Sequence, residues 1–263
     1  MSQRRRILIG NIDAYGGRSV PRESVPLAVD TSSSLNPDFL VLGLLWYVVF
    51  LLSTTCHEAA HAAVAKWGGD LTAFEGGQVT LNPLPHIRRE LFGMVIFPII
   101  TYAIGGWMMG WASAPYDPKW CREHPKRAGR MALAGPAANF TLAILAGVAI
   151  RAGLYMQWFT VGSGDYSQVV DAAVPGVAEG LARFLSLLFS LNVLLGTFNL
   201  IPLPPLDGFN AIPVLLSENA GRRYLAWADS VRAYSIVGLI VSWQLFGRVV
   251  QPMVSLAVQT ISR

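Results

Sequence analysis

Charged residues are scarce in this chain, where they make up 14% of 263 residues, against about 25% in an ordinary soluble domain. Hydrophobic residues account for 53% of the sequence and are concentrated in blocks, the first of which begins at Phe39. Blocks of roughly 20 apolar residues match the ~30 Å hydrocarbon core of a bilayer. The composition therefore excludes a typical soluble domain. It predicts an all-α polytopic membrane protein, a helical bundle of about four to six membrane segments.

Cysteine and histidine are also rare. The two cysteines are Cys56 in an apolar stretch and Cys121 in a basic one, which excludes a disulfide framework. Four histidines are too few for a di-iron lipid desaturase. The net charge of +4 reflects Lys and Arg that border the apolar stretches. Such flanking charges are typical of membrane proteins, so no nucleic-acid partner is expected.

The first 38 residues are polar and contain Arg4, Arg5 and Arg6, but no apolar core of adequate length follows these arginines. We therefore expect no cleavable signal peptide. The sequence predicts a flexible polar extension over residues 1–38. A membrane-embedded metalloprotease domain is predicted over residues 39–263, on the site chemistry that follows.

Apolar stretches and glycine turns predict the layout of that domain. The apolar stretches lie at about 39–67, 91–111, 130–150, 181–200 and 231–261. Residues 71–75 and 78–81 alternate apolar and polar side chains around Gly76-Gly77, which predicts a small β-hairpin there.

Two histidines lie four residues apart in the first apolar stretch, in the sequence His57-Glu58-Ala59-Ala60-His61. In a helix this spacing puts both imidazoles on one face, one turn apart, where they can bind one Zn²⁺. Glu58 is placed to act as a general base toward water. A chance match is the alternative, but ionisable groups within a membrane helix are costly and usually functional. The pattern predicts a zinc site with one ion per chain.

Catalytic zinc usually has three protein ligands, so a third must come from elsewhere. His86 and His124 are candidates, but they lie in segments rich in helix breakers or basic charge. Asp207 is favoured because it follows an apolar helix and three closely spaced prolines, which unwind the backbone. Unwound backbone at membrane depth is tolerated where it lines a polar cavity. An ordinary polar turn at Asp207-Gly208 is the alternative.

Three segments of the chain resemble the signature motifs of site-2 proteases, which are intramembrane zinc metalloproteases. They are His57–His61, Gly135–Asn139 and Asn199–Gly208, and they occur in the family's order. A fourth segment, Thr80–Ile87, is similar to one in compact bacterial members. The resemblance covers about residues 40 to 210. Unlike larger members, the chain shows no PDZ-type or cystathionine-synthase-type domain, which leaves substrate recruitment by such domains unsupported.

This resemblance implies that His57, His61 and Asp207 bind zinc and that Glu58 is the general base. It also implies that Asn199 and Asn139 hold the substrate or shape the site. A buried asparagine can donate to a developing oxyanion, but it can also form hydrogen bonds between membrane helices. Both roles are open for Asn139, whereas the functional role is favoured for Asn199 beside the ligand loop.

Convergence of the ligands constrains the topology. If every apolar stretch crossed the bilayer, His57 and Asp207 would lie near opposite faces. We therefore predict that Leu91–Trp111 is re-entrant, with breaks at Pro98 and at Gly105-Gly106. A kinked transmembrane helix is the alternative. The re-entrant topology puts the zinc site on the side rich in Lys and Arg, which is the cytoplasmic side by the positive-inside rule.

Together these features predict a multi-pass protein of the cell membrane that hydrolyses membrane-spanning protein substrates, as in regulated intramembrane proteolysis. The unwound substrate is predicted to pair with the edge of the 71–81 hairpin by β-addition. One alternative is a catalytically silent membrane zinc-binding or adaptor protein, against which Glu58 argues. Another is a metal-ion transporter, whose ligands would be distributed over several spans.

Overall fold

The computed structural model describes residues 37–262. The predicted polar extension over residues 1–38 therefore lies almost entirely outside the described residues. The helices are α1 (Pro37–Gly68), α2 (Thr72–Glu75), α3 (Pro83–Arg89), α4 (Phe97–Gly105), α5 (Pro118–Glu123), α6 (Pro125–Tyr155), α7 (Val177–Asn199), α8 (Asp207–Ala211), α9 (Glu218–Val231) and α10 (Ser235–Ser262). The two strands are β1 (Phe159–Asp165) and β2 (Gln168–Ala172), and a π-helical segment, Phe92–Ile96, precedes α4.

Within residues 37–262, four segments are long and apolar enough to cross a membrane, namely Pro37–Gly68, Pro125–Tyr155, Val177–Asn199 and Glu218–Arg248. Helices α1, α6 and α7 pack against one another and form the centre of the bundle. Helix α7 is the innermost of the three, because 61% of the residues in its apolar part are buried, against 33% for α1 and 39% for α6. The outer faces carry exposed Leu44, Ile144 and Val148. Apolar side chains on both the inside and the outside are expected of helices in lipid. The predicted all-α polytopic fold is confirmed.

The Leu91–Trp111 segment doubles back, as predicted. Its helical part, of 5 and 9 residues, extends only about 21 Å, which is short of the ~30 Å apolar core. The helix ends at Gly105, and the next residue, Gly106, turns the chain with a φ of 71°. The Trp111 N–H then donates to the carbonyl of Gly93 over 3.2 Å. The chain is thus back at the level where the helix began, which is the geometry of a re-entrant segment.

The end of α1 and the beginning of α6 lie on the same side of the bundle. Trp120 Nε1 and Arg127 Nη1 each donate to the carbonyl of Gly68 over 3.1 Å. Helix α6 then leaves this side and α7 returns to it, so α1 and α7 both end there. This shared side is what lets a residue after α7 reach the second half of α1.

The predicted hairpin at residues 71–81 is wrong. Asp70 Oδ1 accepts hydrogen bonds from the Thr72 N–H (2.9 Å) and from Thr72 Oγ1 (2.6 Å). This local bonding starts the helical turn α2, because aspartate can satisfy backbone donors without a strand partner. The two-stranded antiparallel sheet lies instead between α6 and α7, with Phe159 opposite Ala172. The prediction of β-addition at 71–81 therefore has no strand edge to rest on.

Candidate metal centre

Three ligand atoms form a small triangle near the end of α1. His57 Nε2 lies 3.0 Å from His61 Nε2. Asp207 Oδ2 lies 3.0 Å from His57 Nε2 and 3.4 Å from His61 Nε2. Tetrahedral zinc with bonds of about 2.0–2.1 Å holds its ligand atoms roughly 3.3–3.4 Å apart. The size of the triangle therefore fits a single zinc ion.

Each ligand reaches the triangle for a local reason. His57 and His61 lie one turn apart on the buried face of α1, as the four-residue spacing predicts. The proline-containing turn 200–206 ends α7 and leads into Asp207, the first residue of α8. Gly208 lies against the Leu200 carbonyl so closely that a β-carbon there would overlap it. This contact folds the turn back over the end of α7 and directs Asp207 toward α1.

The hydrogen bonds of the two imidazoles leave their Nε2 atoms available as ligands. His57 Nδ1 lies 2.6 Å from Asn139 Oδ1, and His61 Nδ1 lies 2.7 Å from the Met131 carbonyl oxygen. Both partners are acceptors, so each Nδ1 carries the proton and each Nε2 presents a lone pair. Asp207 Oδ2 is buried and accepts no hydrogen bond among the described residues. The two Nε2 atoms and Asp207 Oδ2 therefore face one another with lone pairs and no hydrogen between them. Because lone pairs at this distance repel one another, a cation among them would stabilise the arrangement.

A cavity of about 340 Å³ opens beside the triangle and contains Glu58, His61 and Asp207 in its wall. Glu58 is only 6% exposed, so its carboxylate is available chiefly to a molecule in this cavity. The segment Ala112–Tyr116 and Pro204-Pro205 also line this cavity. The site therefore has a candidate general base and an open volume beside its candidate ligands.

Charged groups mark the mouth of the cavity as its water-facing end. Arg122 Nη1 lies 3.1 Å from Asp229 Oδ2, and Arg232 Nη2 lies 3.7 Å from Asp229 Oδ1. All three side chains are partly exposed. Burial raises the pKa of the nearby Cys121 thiol to about 12. Water thus has access at the rim, while the thiol of Cys121 stays neutral at physiological pH.

The two histidines considered as alternative ligands lie elsewhere. His86 is buried and its Nε2 lies 3.1 Å from the carbonyl oxygen of Thr80. His124 lies between α5 and α6, and its ring stands edge-on to Trp120 at 6.1 Å. Among the described residues, His57, His61 and Asp207 are the group that could share a metal ion.

The two asparagines differ in their placement. Asn139 is fully buried, with its carbonyl on His57 and its amide nitrogen donating to Asn192 Oδ1 over 2.8 Å. Asn199 is half-buried, and its amide nitrogen donates to the Leu195 carbonyl over 3.1 Å. Asn139 thus bonds a candidate ligand and a neighbouring helix. Asn199 is the last residue of α7 and precedes the turn 200–206 that leads to Asp207.

Asn192 is a site residue that the sequence analysis missed. It is fully buried in α7 and bonds Asn139. A buried amide in an apolar span was the available signal, since polar groups in membrane helices are usually paired or functional.

Comparison with known proteins identifies relatives of this chain. Residues 45–242 match the model for Peptidase family M50. Over 179 residues the chain is 35% identical to "Putative zinc metalloprotease YwhC" of Bacillus subtilis (strain 168), an alignment covering 66% of this chain and 71% of that protein.

Two mycobacterial proteins are also similar. Identity to "Putative zinc metalloprotease Rip2" of Mycolicibacterium smegmatis is 30% over 216 residues, covering 82% of this chain and 73% of that protein. Identity to "Putative zinc metalloprotease Rip3" of Mycobacterium tuberculosis (strain H37Rv) is 26% over 226 residues, covering 84% of this chain and 50% of that protein. No solved structure matches the chain significantly.

Proposed function

This chain belongs to peptidase family M50, and from that premise we propose that it is an intramembrane zinc endopeptidase that cleaves membrane-spanning protein substrates. The observation that carries the proposal is the triangle of His57, His61 and Asp207 beside Glu58, within a bundle of apolar helices. We propose one zinc ion per chain, because these three residues form one ligand group among the described residues.

Each site residue is proposed to have a separate role in peptide hydrolysis. His57, His61 and Asp207 would hold the ion, and zinc supplies Lewis-acid chemistry when bound, by polarising a carbonyl and acidifying water. Glu58 faces the same cavity, so its carboxylate takes the proton of the attacking water and passes it to the leaving amine. Asn199 is proposed to stabilise the oxyanion with the amide hydrogen that Leu195 does not engage.

A substrate helix must unwind before its peptide bonds can be attacked, because they are engaged in the helix's own hydrogen bonds. The segment Ala112–Tyr116 lines the cavity and belongs to no helix or strand. Within the described residues, the backbone groups of Ala112, Ala114 and Tyr116 make no hydrogen bond. This segment is proposed to pair with the unwound substrate by β-addition, the role earlier predicted for residues 71–81.

The proposed orientation places the cavity mouth on the cytoplasmic side. The short helices α3 and α5 and the beginning of α6 lie at this end and carry several basic residues: Arg88, Arg89, Lys119, Arg122, Lys126 and Arg127. At the opposite end, the two strands and the first turn of α7 carry the acidic residues Asp165, Asp171 and Glu179. Basic residues flanking membrane spans favour the cytoplasmic face, whereas acidic residues contribute little to orientation.

The test compares wild type with Glu58→Gln in purified, lipid-reconstituted protein. Zinc is measured by elemental analysis, and cleavage is measured on a designed single-span substrate carrying a helix-destabilising Asn-Gly pair. Glu58→Gln should keep its zinc and lose cleavage, whereas Glu75→Gln on the exposed surface should behave as wild type. Equal cleavage by wild type and Glu58→Gln would refute the role of Glu58.

Other outcomes separate the alternatives. Cleavage of an unfolded soluble protein, but of no membrane-spanning substrate, would contradict the intramembrane assignment. A wild-type protein that binds zinc and cleaves neither substrate would support a catalytically silent zinc-binding protein.

A further inference from the structure

A chain of buried side-chain hydrogen bonds runs from α1 through α7 and α6 to the metal centre. Ser53 Oγ accepts from Asn192 Nδ2 over 2.8 Å, and Asn192 Oδ1 accepts from Asn139 Nδ2 over 2.8 Å. Asn139 Oδ1 then lies 2.6 Å from His57 Nδ1. Ser53, Asn139 and Asn192 are all fully buried. The catalytic role proposed for Glu58 uses none of these three residues.

One backbone group fixes the direction of every bond in this chain. Asn192 Nδ2 also lies 2.8 Å from the carbonyl of Leu188. A carbonyl can only accept, so the amide nitrogen of Asn192 must face it and the amide oxygen must face Asn139. Asn139 therefore presents its nitrogen to Asn192 and its oxygen to His57. An oxygen at that position accepts, so His57 must carry its proton on Nδ1.

We propose that Asn192 is a positioning residue of the metal centre, which sets the tautomer and ring orientation of His57 through Asn139. This inference rests on zinc binding by the proposed function. With the proton on Nδ1, Nε2 is free as a ligand. Without Asn192, the Asn139 amide can rotate and offer its nitrogen to Nδ1, which favours a proton on Nε2 and blocks that ligand.

His61 provides an internal contrast. Its Nδ1 is fixed by the Met131 backbone carbonyl, which cannot rotate as a side-chain amide does. Loss of Asn192 should therefore impair His57 as a ligand, while His61 keeps its proton on Nδ1 and its Nε2 free. The expected result is a weakened zinc site rather than an abolished one.

The experiment measures the zinc Kd by chelator competition in detergent for wild type, Asn192→Leu and Ser53→Ala. Asn192→Leu should weaken zinc binding by about 10- to 100-fold, the usual effect of removing a group that orients a metal ligand. Ser53→Ala removes only the second acceptor of the Asn192 amide and leaves the Leu188 carbonyl in place. Ser53→Ala should therefore weaken zinc binding much less than Asn192→Leu. Asn192→Leu with the wild-type Kd would overturn the proposal.

A rescue variant separates positioning from packing. An aspartate at position 139 accepts from His57 Nδ1 with either oxygen, so it needs no partner to set its direction. The double variant Asn139→Asp/Asn192→Leu should therefore bind zinc more tightly than Asn192→Leu alone. If the two variants are equally folded by circular dichroism and equally weak, Asn192 acts only through packing and the proposal fails.

The tautomer itself gives a readout that needs no substitution. Nitrogen NMR of histidine-labelled wild-type protein should show His57 protonated at Nδ1, with and without added zinc. Protonation at Nε2 with Nδ1 unprotonated would overturn the proposed role of Asn192, even if the variants failed to fold. A wild type that binds no zinc but carries a proton on His57 Nδ1 would refute the proposed function and leave the role of Asn192 in orienting His57 standing.

Discussion

A β-carbon at Gly135 would overlap Nε2 of His57, the nitrogen that faces the proposed metal. The same atom would also overlap Nε2 of His61. At Gly135, helix α6 therefore packs against the two histidines with its backbone alone. A side chain at this position would displace both rings from the triangle that they form with Asp207.

Gly135→Ala should accordingly weaken zinc binding. Overpacking of a buried site costs about 1–3 kcal/mol, which corresponds to about 5- to 150-fold in Kd if the zinc-bound state bears the cost. Chelator competition in detergent measures the change. Gly180→Ala in α7 is the matched control, because a β-carbon there meets no atom within 4 Å. A Gly135→Ala variant with the wild-type zinc Kd would show that the rings are not held by this contact.

The re-entrant segment predicts that the chain on either side of Leu91–Trp111 lies on one membrane face. In a background without Cys56 and Cys121, Glu75→Cys and Lys119→Cys should be labelled by a membrane-impermeant maleimide from the same side. If that side is the cytoplasmic one, both cysteines should be labelled in inverted vesicles and protected in intact spheroplasts.

A cysteine at Ser167, in the turn between β1 and β2, should be labelled from the opposite side. Labelling of positions 75 and 119 from opposite faces would mean that the segment crosses the bilayer.

The extended segment beside the cavity predicts a backbone effect on substrate binding. Ala114→Pro removes one N–H, so a substrate paired there loses a hydrogen bond worth about 0.5–1.5 kcal/mol. We expect kcat/KM for a membrane-spanning substrate to fall by about 2- to 13-fold, with zinc content unchanged. Ala114→Ser keeps the N–H and should retain activity. Equal rates for the proline and serine variants would locate the substrate elsewhere.

The proposed oxyanion role of Asn199 predicts a defect in turnover. Removing one oxyanion donor typically costs about 10²- to 10³-fold in kcat. Asn199→Ala should show a loss of this order while zinc content and KM stay close to wild type. If kcat is unchanged, the amide serves only the bond to Leu195 within α7.

The buried thiol of Cys121 predicts a dependence on pH. Burial, chiefly, raises its pKa from an ordinary value of 9.0 to about 12. Between these values the unfolded thiol loses its proton and the folded thiol keeps it, so the free energy of unfolding decreases as pH rises above about 9. The difference between wild type and Cys121→Ala should isolate this loss from other titrations. Identical pH dependence in both proteins would contradict the shift.

Sequence patterns predicted correctly those features that depend on the geometry of a short segment. The pairing of His57 with His61 follows from the helical repeat, and the helix follows from a long apolar run. The reversal at Leu91–Trp111 could also be predicted, because candidate ligands far apart in sequence had to reach the same side of the bundle. The hairpin at 71–81 failed because a short alternating stretch is a weak signal that the side-chain bonds of Asp70 override.

The sequence by itself determined the membrane setting, the pair of histidines and the glutamate beside them, because hydrophobic length and helical spacing are properties of short segments. The sequence also favoured Asp207 as the third member of the site, but only the tertiary structure placed its Oδ2 within 3.4 Å of both histidine Nε2 atoms. The bond of Asn139 to His57, and the position of Asn192 behind Asn139, were likewise decided by the tertiary structure alone. Those contacts join helices separated by many residues, and their hydrogen-bond directions depend on a backbone carbonyl in a third helix. The paired histidines are therefore a local feature of α1, whereas the hydrogen bonds that orient their rings are a property of the packed bundle.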